Sequence, residues 1–472
     1  MVVMILGALM KLLALLGILI VVSARADYKD FYFQRAKSKS IDHRWSQEIQ
    51  LRLETHEFEQ RVNHSDTKDS RTFKQRYFIN TQFAESSLAP TLFYLCGESV
   101  CEGFSGVMAT YAKELKANLV AIEHRYYGKS HPFSQLTTEN LKYLTTEFAL
   151  IDAASLQKHL MDSLGFKGKW IVFGGSYAGS LAAYYRQKFP DLTVGALASS
   201  GPVKAKANFE EYDQHVAKVA GPDCLKNIKR VVKQVEDSLS NPVDLNLLKK
   251  KFSAEALLTE LDFMYLIADM AALAVQYGYR DHFCELIASE NPIDGYASFT
   301  QEIFQSWGLT ALSGSASGAV SLNPADYEKD FGMRQWLYQS CTEYGYWQNA
   351  YHDESQSARS KWINQKYHDD VCRRLFGIEK PSNTELTNRT FFLPLLSPTT
   401  THIFFTNGSQ DPWINLSIAK ENGNLTNPNI SGVTIDGAAH CDDLRTPKDE
   451  DSSSLKSARA QFIEFAKSWL KN

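Results

Sequence analysis

The stretch Trp170-Ile-Val-Phe-Gly-Gly-Ser176-Tyr-Ala-Gly179 restricts the chain more than any other. An apolar run of strand type passes through two glycines to a serine and straight into a helix, which is the context a nucleophile elbow requires. The serine occupies a strained turn, at a cost on the order of 1–3 kcal/mol, so that its hydroxyl stands above the edge of a sheet. Backbone and helix crowd the positions two before and two after it, where small residues are needed. Gly174 and Ala178 meet that need, with Gly179 one step further on, although the strict G-x-S-x-G string is not met. The peptide N–H of Tyr177 would open the helix and point at a developing oxyanion. A serine that only caps a helix after a glycine turn fits the same ten residues, so the decision falls to the rest of the chain.

On either side of this stretch, residues 76–203 alternate strand and helix. Tyr77–Phe83, Thr91–Leu95, Leu119–Ile122, Trp170–Phe173 and Val194–Ala198 read as strands; Gly106–Leu115, Glu147–Leu164 and Tyr177–Phe189 read as helices. That rhythm predicts a parallel α/β sheet. From about 204 to 395 it stops, and Lys-, Glu-, Leu- and Ala-rich stretches (Val232–Leu248, Ala254–Val275) predict helices. Ile403–Thr406 and Val433–Ile435 resume the strands, and Ala458–Leu470 closes as an amphipathic helix. One sheet formed by residues 27–203 and 396–472, with a helical insertion at 204–395, accounts for this better than serial domains.

The resumed strands carry the partners a serine nucleophile needs. Ile403–Thr406 breaks into a turn bearing Asp411, and Val433–Ile435 into a glycine turn and His440. Ser176, Asp411 and His440 thus follow in the order Ser, acid, His, each just after a strand. His440 would take the serine proton and return it to the leaving group, and Asp411 would fix its tautomer. Asp436 is a rival acid, but it lies only four residues before His440 on the same turn. A second oxyanion donor is expected after an early strand, where Leu92-Phe-Tyr-Leu-Cys96-Gly97-Glu98-Ser99 offers the N–H of Gly97 or Glu98.

Composition sets the compartment. The 472 residues carry 50 basic and 54 acidic side chains, a net charge of −4, and no basic tract, which argues against a nucleic-acid partner. Leu12–Val22 is an unbroken apolar run followed by Ser23-Ala24-Arg25-Ala26, so residues 1–26 read as a signal peptide cleaved near Ala26. An uncleaved anchor would hold Lys11 in its middle. No later run reaches the roughly 18 apolar residues of a membrane span, so no membrane association is expected after cleavage. Seven cysteines in an exported chain predict disulfides and one thiol left over. No Cys/His spacing fits a metal, and no cofactor motif is present. Sequons at Asn63, Asn388, Asn415, Asn424 and Asn429 agree with the secretory pathway, secreted or lysosomal; a sixth, Asn407, falls in a motif expected to be partly buried.

Six stretches taken together resemble the family of prolyl carboxypeptidase, dipeptidyl peptidase II and thymus-specific serine protease. They are Glu123-His-Arg-Tyr-Tyr-Gly-Lys-Ser130, Tyr143-Leu-Thr-Thr-Glu147, Gly174-Gly-Ser-Tyr-Ala-Gly179, Gln339-Ser-Cys341-Thr-Glu343-Tyr-Gly345, Asn407-Gly-Ser-Gln-Asp-Pro-Trp413 and Ala439-His440-Cys441-Asp-Asp-Leu444. Cys441 after the histidine is most similar to the thymus-specific branch. The resemblance implies an α/β-hydrolase sheet with a helical cap, the same triad, and exopeptidase action on peptides beside proline or another small residue. The oxyanion loop departs from the family in carrying Ser99 where glycine is usual, with Cys96 and Cys101 around it. Cys341–Cys372 and Cys224–Cys284 are the expected disulfides, while Cys441 either reaches Cys96 or stays a buried thiol. Among the aromatic residues of the cap region, Trp413 is the candidate to stack on a proline ring. Glu98 and Glu343 would hold a peptide amine, or are structural. A homodimer is a candidate assembly. An esterase or lipase on the same fold, and a weakly catalytic binding protein, are the alternatives.

Overall fold

The computed structural model describes residues 53–471 apart from residue 105 and residues 329–330. The expected signal peptide lies outside the described residues. Among the described residues ten strands follow in chain order: β1 (Glu54–Arg61), β2 (Thr72–Asn80), β3 (Thr91–Leu95), β4 (Asn118–Ile122), β5 (Trp170–Gly175), β6 (Gly195–Ser199), β7 (Lys206–Asn208), β8 (Gly345–Trp347), β9 (Ile403–Gly408) and β10 (Ser431–Ile435). Eight of them form one sheet in the order β1-β2-β4-β3-β5-β6-β9-β10. β1 and β2 join antiparallel, as does β2 to β4; from β4 to β10 every neighbouring pair is parallel.

Both faces are buried, and the period-two geometry of a strand divides the apolar residues between them. Phe93, Val120, Val172 and Phe405 pack on one side with the helices Thr146–Ser163 and Tyr177–Lys188. Leu92, Leu119, Phe173 and Phe404 pack on the other with Gly106–Leu115 and Ser453–Lys471. A sheet covered on both faces needs apolar residues at successive positions, which is why these strands read as short continuous runs. This is the α/β-hydrolase sheet.

Between β6 and β9 the chain is mainly helical, and β7 and β8 form a small parallel ribbon beside the helices. The stretch expected as one helical run, Val232–Leu248, is two helices, Pro222–Ser238 and Pro242–Lys251. The Asn241 side chain accepts from the Val243 N–H and Pro242 takes the first helical position, where its missing N–H costs nothing. Disulfides Cys224–Cys284 and Cys341–Cys372 fasten this region. No helix among the described residues is long and apolar enough to cross a membrane.

Candidate active site

β5, β9 and β10 run parallel, so their carboxyl ends open on one edge, and a loop leaves each there. After β5 the chain turns through Ser176, whose φ is +59°, a backbone region side chains other than glycine seldom occupy. Its N–H donates to the Ser199 carbonyl at 2.9 Å. The turn closes because a Cβ at Gly174 would stand 2.2 Å from the Ala178 carbonyl oxygen, and one at Gly179 would stand 2.6 Å from that of Ser199. The helix Tyr177–Lys188 starts at once, so its first N–H groups have no partner within it.

Asp411 follows β9 and is fully buried. Oδ1 accepts from the Trp413 N–H at 3.0 Å, and Oδ2 from Nδ1 of His440 at 2.7 Å. That bond places the imidazole proton on Nδ1 and leaves Nε2 as the basic atom. Nε2 is buried and has no hydrogen-bond partner. Burial alone would push the imidazole down, but the charge and hydrogen bond of Asp411, with Cys441 beside it, hold His440 well above the usual histidine range. The acid–imidazole pair is closed, and Cys441, the residue after His440, packs against the strand end that leads into Ser176. A Cβ on Gly175, the neighbour of Ser176, would lie 3.0 Å from the Cys441 sulfur.

Cys441 is a buried free thiol. The alternative of a bond to Cys96 is excluded because Cys96 pairs with Cys101, closing a small loop around Gly97, Glu98 and Ser99. This loop abuts the helix start: a Cβ on Gly97 would lie 3.4 Å from that of Ala178 and 3.5 Å from its nitrogen. The Gly97–Glu98 and Tyr177 amides, named separately as oxyanion donors, therefore share one neighbourhood. The Glu98 carboxyl is pushed up to about 7 by burial, with the nearby imidazole of His440 working against the shift.

The other proposed substrate residues divide. Trp413 sits among Phe209, Tyr212 and Tyr346, ring centroids 5.3–5.5 Å away, and its indole N–H donates to Gln276 Oε1 at 3.0 Å. Glu343 takes the structural of its two readings. Its carboxyl oxygens accept from the Thr146 N–H at 3.1 and 3.2 Å and from the Thr146 hydroxyl at 3.0 Å, at the start of the helix Thr146–Ser163. Among the sequons, Asn388 is turned inward: Oδ1 accepts from the Ala205 N–H and Nδ2 donates to the Ala205 carbonyl, both at 2.8 Å. This clip engages both ends of the Asn388 amide. Nδ2 of Asn415 and of Asn424 donates to the carbonyls of Pro412 and Ser417. Asn63 is partly buried and Asn429 is exposed.

The sequence of this chain matches the serine carboxypeptidase S28 family over residues 60–462. The chain belongs to that family. As an S28 member it is a serine peptidase. Similar proteins include "Probable serine protease EDA2" of Arabidopsis thaliana, 36% identical over 82% of this chain and 80% of that protein. The mouse "Thymus-specific serine protease" is 32% identical over 88% and 87%. The bovine "Lysosomal Pro-X carboxypeptidase" is 29% identical over 89% of each.

The S28 motifs around Glu123 and Gln339 prove to be supports for the elbow. His124 is held near 4 by burial and is neutral. Its Nδ1 donates to the Arg125 carbonyl at 2.7 Å, so Nε2 accepts from the Tyr177 hydroxyl at 3.1 Å, while Gln339 Nε2 donates to that hydroxyl at 2.8 Å. Beneath, Arg125 and Asp152 form a fully buried two-bond ion pair, each bond 2.7 Å. Asp443 accepts from Ser199 and Thr406 hydroxyls at 2.6 and 2.7 Å, pinning the histidine loop to β6 and β9. Sequence reading passed over Asp443 and Gln276, since a lone acid or amide carries no pattern that separates a buried anchor from a surface residue.

Proposed function

We propose that this S28 chain is a serine exopeptidase that cleaves peptides near a chain terminus beside proline or a small residue, through an acyl-enzyme on Ser176. The observation that carries the reading is the buried 2.7 Å bond between Asp411 and His440, which leaves Nε2 of the imidazole without a hydrogen-bond partner. In this reading Nε2 takes the Ser176 proton as Oγ attacks the scissile carbonyl, and Asp411 stabilises the imidazolium. The Tyr177 N–H and an N–H from Gly97 or Glu98 receive the oxyanion, each such donor worth about 2.7–4 kcal/mol in the transition state. His440 then returns the proton to the leaving amine, and water, activated by the same imidazole, releases the acyl group.

Trp413 and Tyr346, with Trp336 whose ring lies 6.3 Å from that of Tyr346 and 5.6 Å from that of Tyr177, would supply the apolar surface for a proline ring, and the partly buried Glu98 carboxyl a polar end to the site. The helices between β6 and β9 would restrict entry to chain ends. Three disulfides and the likeness to proteins named lysosomal support the secretory pathway, secreted or lysosomal, as its compartment. A fluorophosphonate probe should label the protein, and Ser176→Ala should abolish labelling; equal labelling of the variant defeats the proposal. A panel of Xaa-Pro and Pro-Xaa peptides, free or blocked at either end, with a simple ester alongside, then identifies the end recognised. Cleavage of the ester with no cleavage of any peptide counts against the peptidase assignment.

A further inference from the structure

The helix Glu260–Gln276 ends against the two catalytic loops, and its last residue bonds to both. The Gln276 carbonyl, one of the last four in the helix and so without an internal partner, accepts from the His440 N–H at 2.8 Å. Its side-chain Oε1 accepts from Trp413 Nε1 at 3.0 Å and from the Tyr212 hydroxyl at 2.6 Å. An indole N–H can only donate, so the amide oxygen must face this way. Trp413 in turn donates its backbone N–H to Asp411 Oδ1 at 3.0 Å. One buried residue of the helical segment is thus tied to the loop of the base through its main chain and to the loop of the acid through its side chain. The next residue, Tyr277, sets its ring edge-on to the His440 imidazole at 5.9 Å. The negative end of the helix dipole also falls here, where it favours an imidazolium.

We infer that Gln276 is a positioning residue of the reaction, fixing the His440 and Asp411 loops relative to each other, so that the helical segment is part of the catalytic geometry as well as a cover over it. The inference rests on the Ser176–His440–Asp411 reading. Gln276 reaches no substrate atom and acts through His440 and Trp413.

Two variants separate this role from plain structural support. Gln276→Met keeps the side-chain length and leaves the indole N–H and the Tyr212 hydroxyl unpaired; Gln276→Glu keeps the acceptor oxygens. The readout is the second-order rate of Ser176 phosphonylation by a fluorophosphonate, per folded molecule, across pH. Displacement of catalytic groups by about 1 Å costs on the order of 10²-fold, so Gln276→Met is expected to react about 10- to 100-fold more slowly. Gln276→Glu is expected to recover most of the rate and to move the acid limb to higher pH, since the added carboxylate stabilises the imidazolium. A wild-type rate in Gln276→Met overturns the inference, as does a slow Gln276→Glu with an unmoved limb. If Gln276→Met does not fold, Tyr212→Phe decides, removing one donor to the same oxygen: a several-fold slowing supports the role, and an unchanged rate overturns it. Failure of the underlying triad looks different, because the wild-type protein would then show no labelling that depends on Ser176.

Discussion

A methyl group added at Gly174 would lie 2.2 Å from the Ala178 carbonyl oxygen and 2.4 Å from its carbon. Backbone atoms cannot swing aside as a side-chain end can, so Gly174→Ala must open the elbow. Overpacking of this kind costs about 1–3 kcal/mol, and here the displaced atoms carry Ser176, the proposed nucleophile. Gly174→Ala should therefore lower the urea midpoint and also lose fluorophosphonate labelling in the fraction that remains folded; retained labelling shows that the turn tolerates the methyl. Asp411→Asn tests a different property of the site. An asparagine amide would donate to Nδ1 of His440, driving the imidazole proton to Nε2, where it can no longer accept from Ser176. A kcat about 10⁴-fold lower is expected, with the fold intact by circular dichroism, and a loss below tenfold contradicts the proposed role.

Each of these residues depends on the element that delivers it. β6 and β9 supply Ser199 and Thr406, whose hydroxyls close on the two oxygens of Asp443, three residues after His440. Asp443→Ala strands two buried hydroxyls, each unmade bond costing about 1–3 kcal/mol. It should lower thermal stability and slow phosphonylation together, whereas a stability loss at an unchanged labelling rate would separate the anchor from the site. The central strands were legible because both their faces are covered: Trp170–Phe173 and Ile403–Phe405 are unbroken apolar runs. β2 was read as Tyr77–Phe83 but spans Thr72–Asn80, since Gln75 occupies an inward position usually taken by an apolar residue and bonds to Gln60 and the Glu123 carbonyl instead. β1 escaped notice because its Glu-Thr-His-Glu start is largely exposed at the sheet edge. The placement of Ser176, Asp411 and His440 just after strand ends was legible because the strands themselves were. The bonds that set its spacing were not, because Gln276 and Asp443 are far in sequence from the residues they hold.

The sheet and the helical segment meet through buried polar groups, and this gives the whole molecule a characteristic response to pH. Burial pushes the Glu343 carboxyl up to about 7, its hydrogen bonds from Thr146 opposing the shift, and Glu98 is likewise near 7. In the unfolded chain each returns to about 4.5. The folded state therefore holds the extra protons between those values, and their contribution to stability is complete below about pH 4.5 and fades as pH rises through 7. Buried His124 and His368 work the other way. Desolvation lowers them to about 4 and about 3, so their contribution is complete above the unfolded value of 6.5 and fades as pH falls. The two slopes oppose each other between about pH 4.5 and 6.5, and above that window the carboxyl slope remains, joined by that of His440, which is held well above its ordinary value. The contribution of the two carboxyls, His124 and His368 is therefore greatest on the mildly acidic side of neutrality. Glu343→Gln isolates one contribution: it keeps an acceptor for Thr146 but cannot ionise. At 1.36 kcal/mol per pKa unit, the stability of the wild type relative to this variant should fall by up to about 3 kcal/mol between pH 4.5 and pH 8, read from urea midpoints at the two pH values. A difference that stays constant across that range means that Glu343 ionises normally in the folded chain, and that the junction between helices and sheet is wetter than its buried bonds imply.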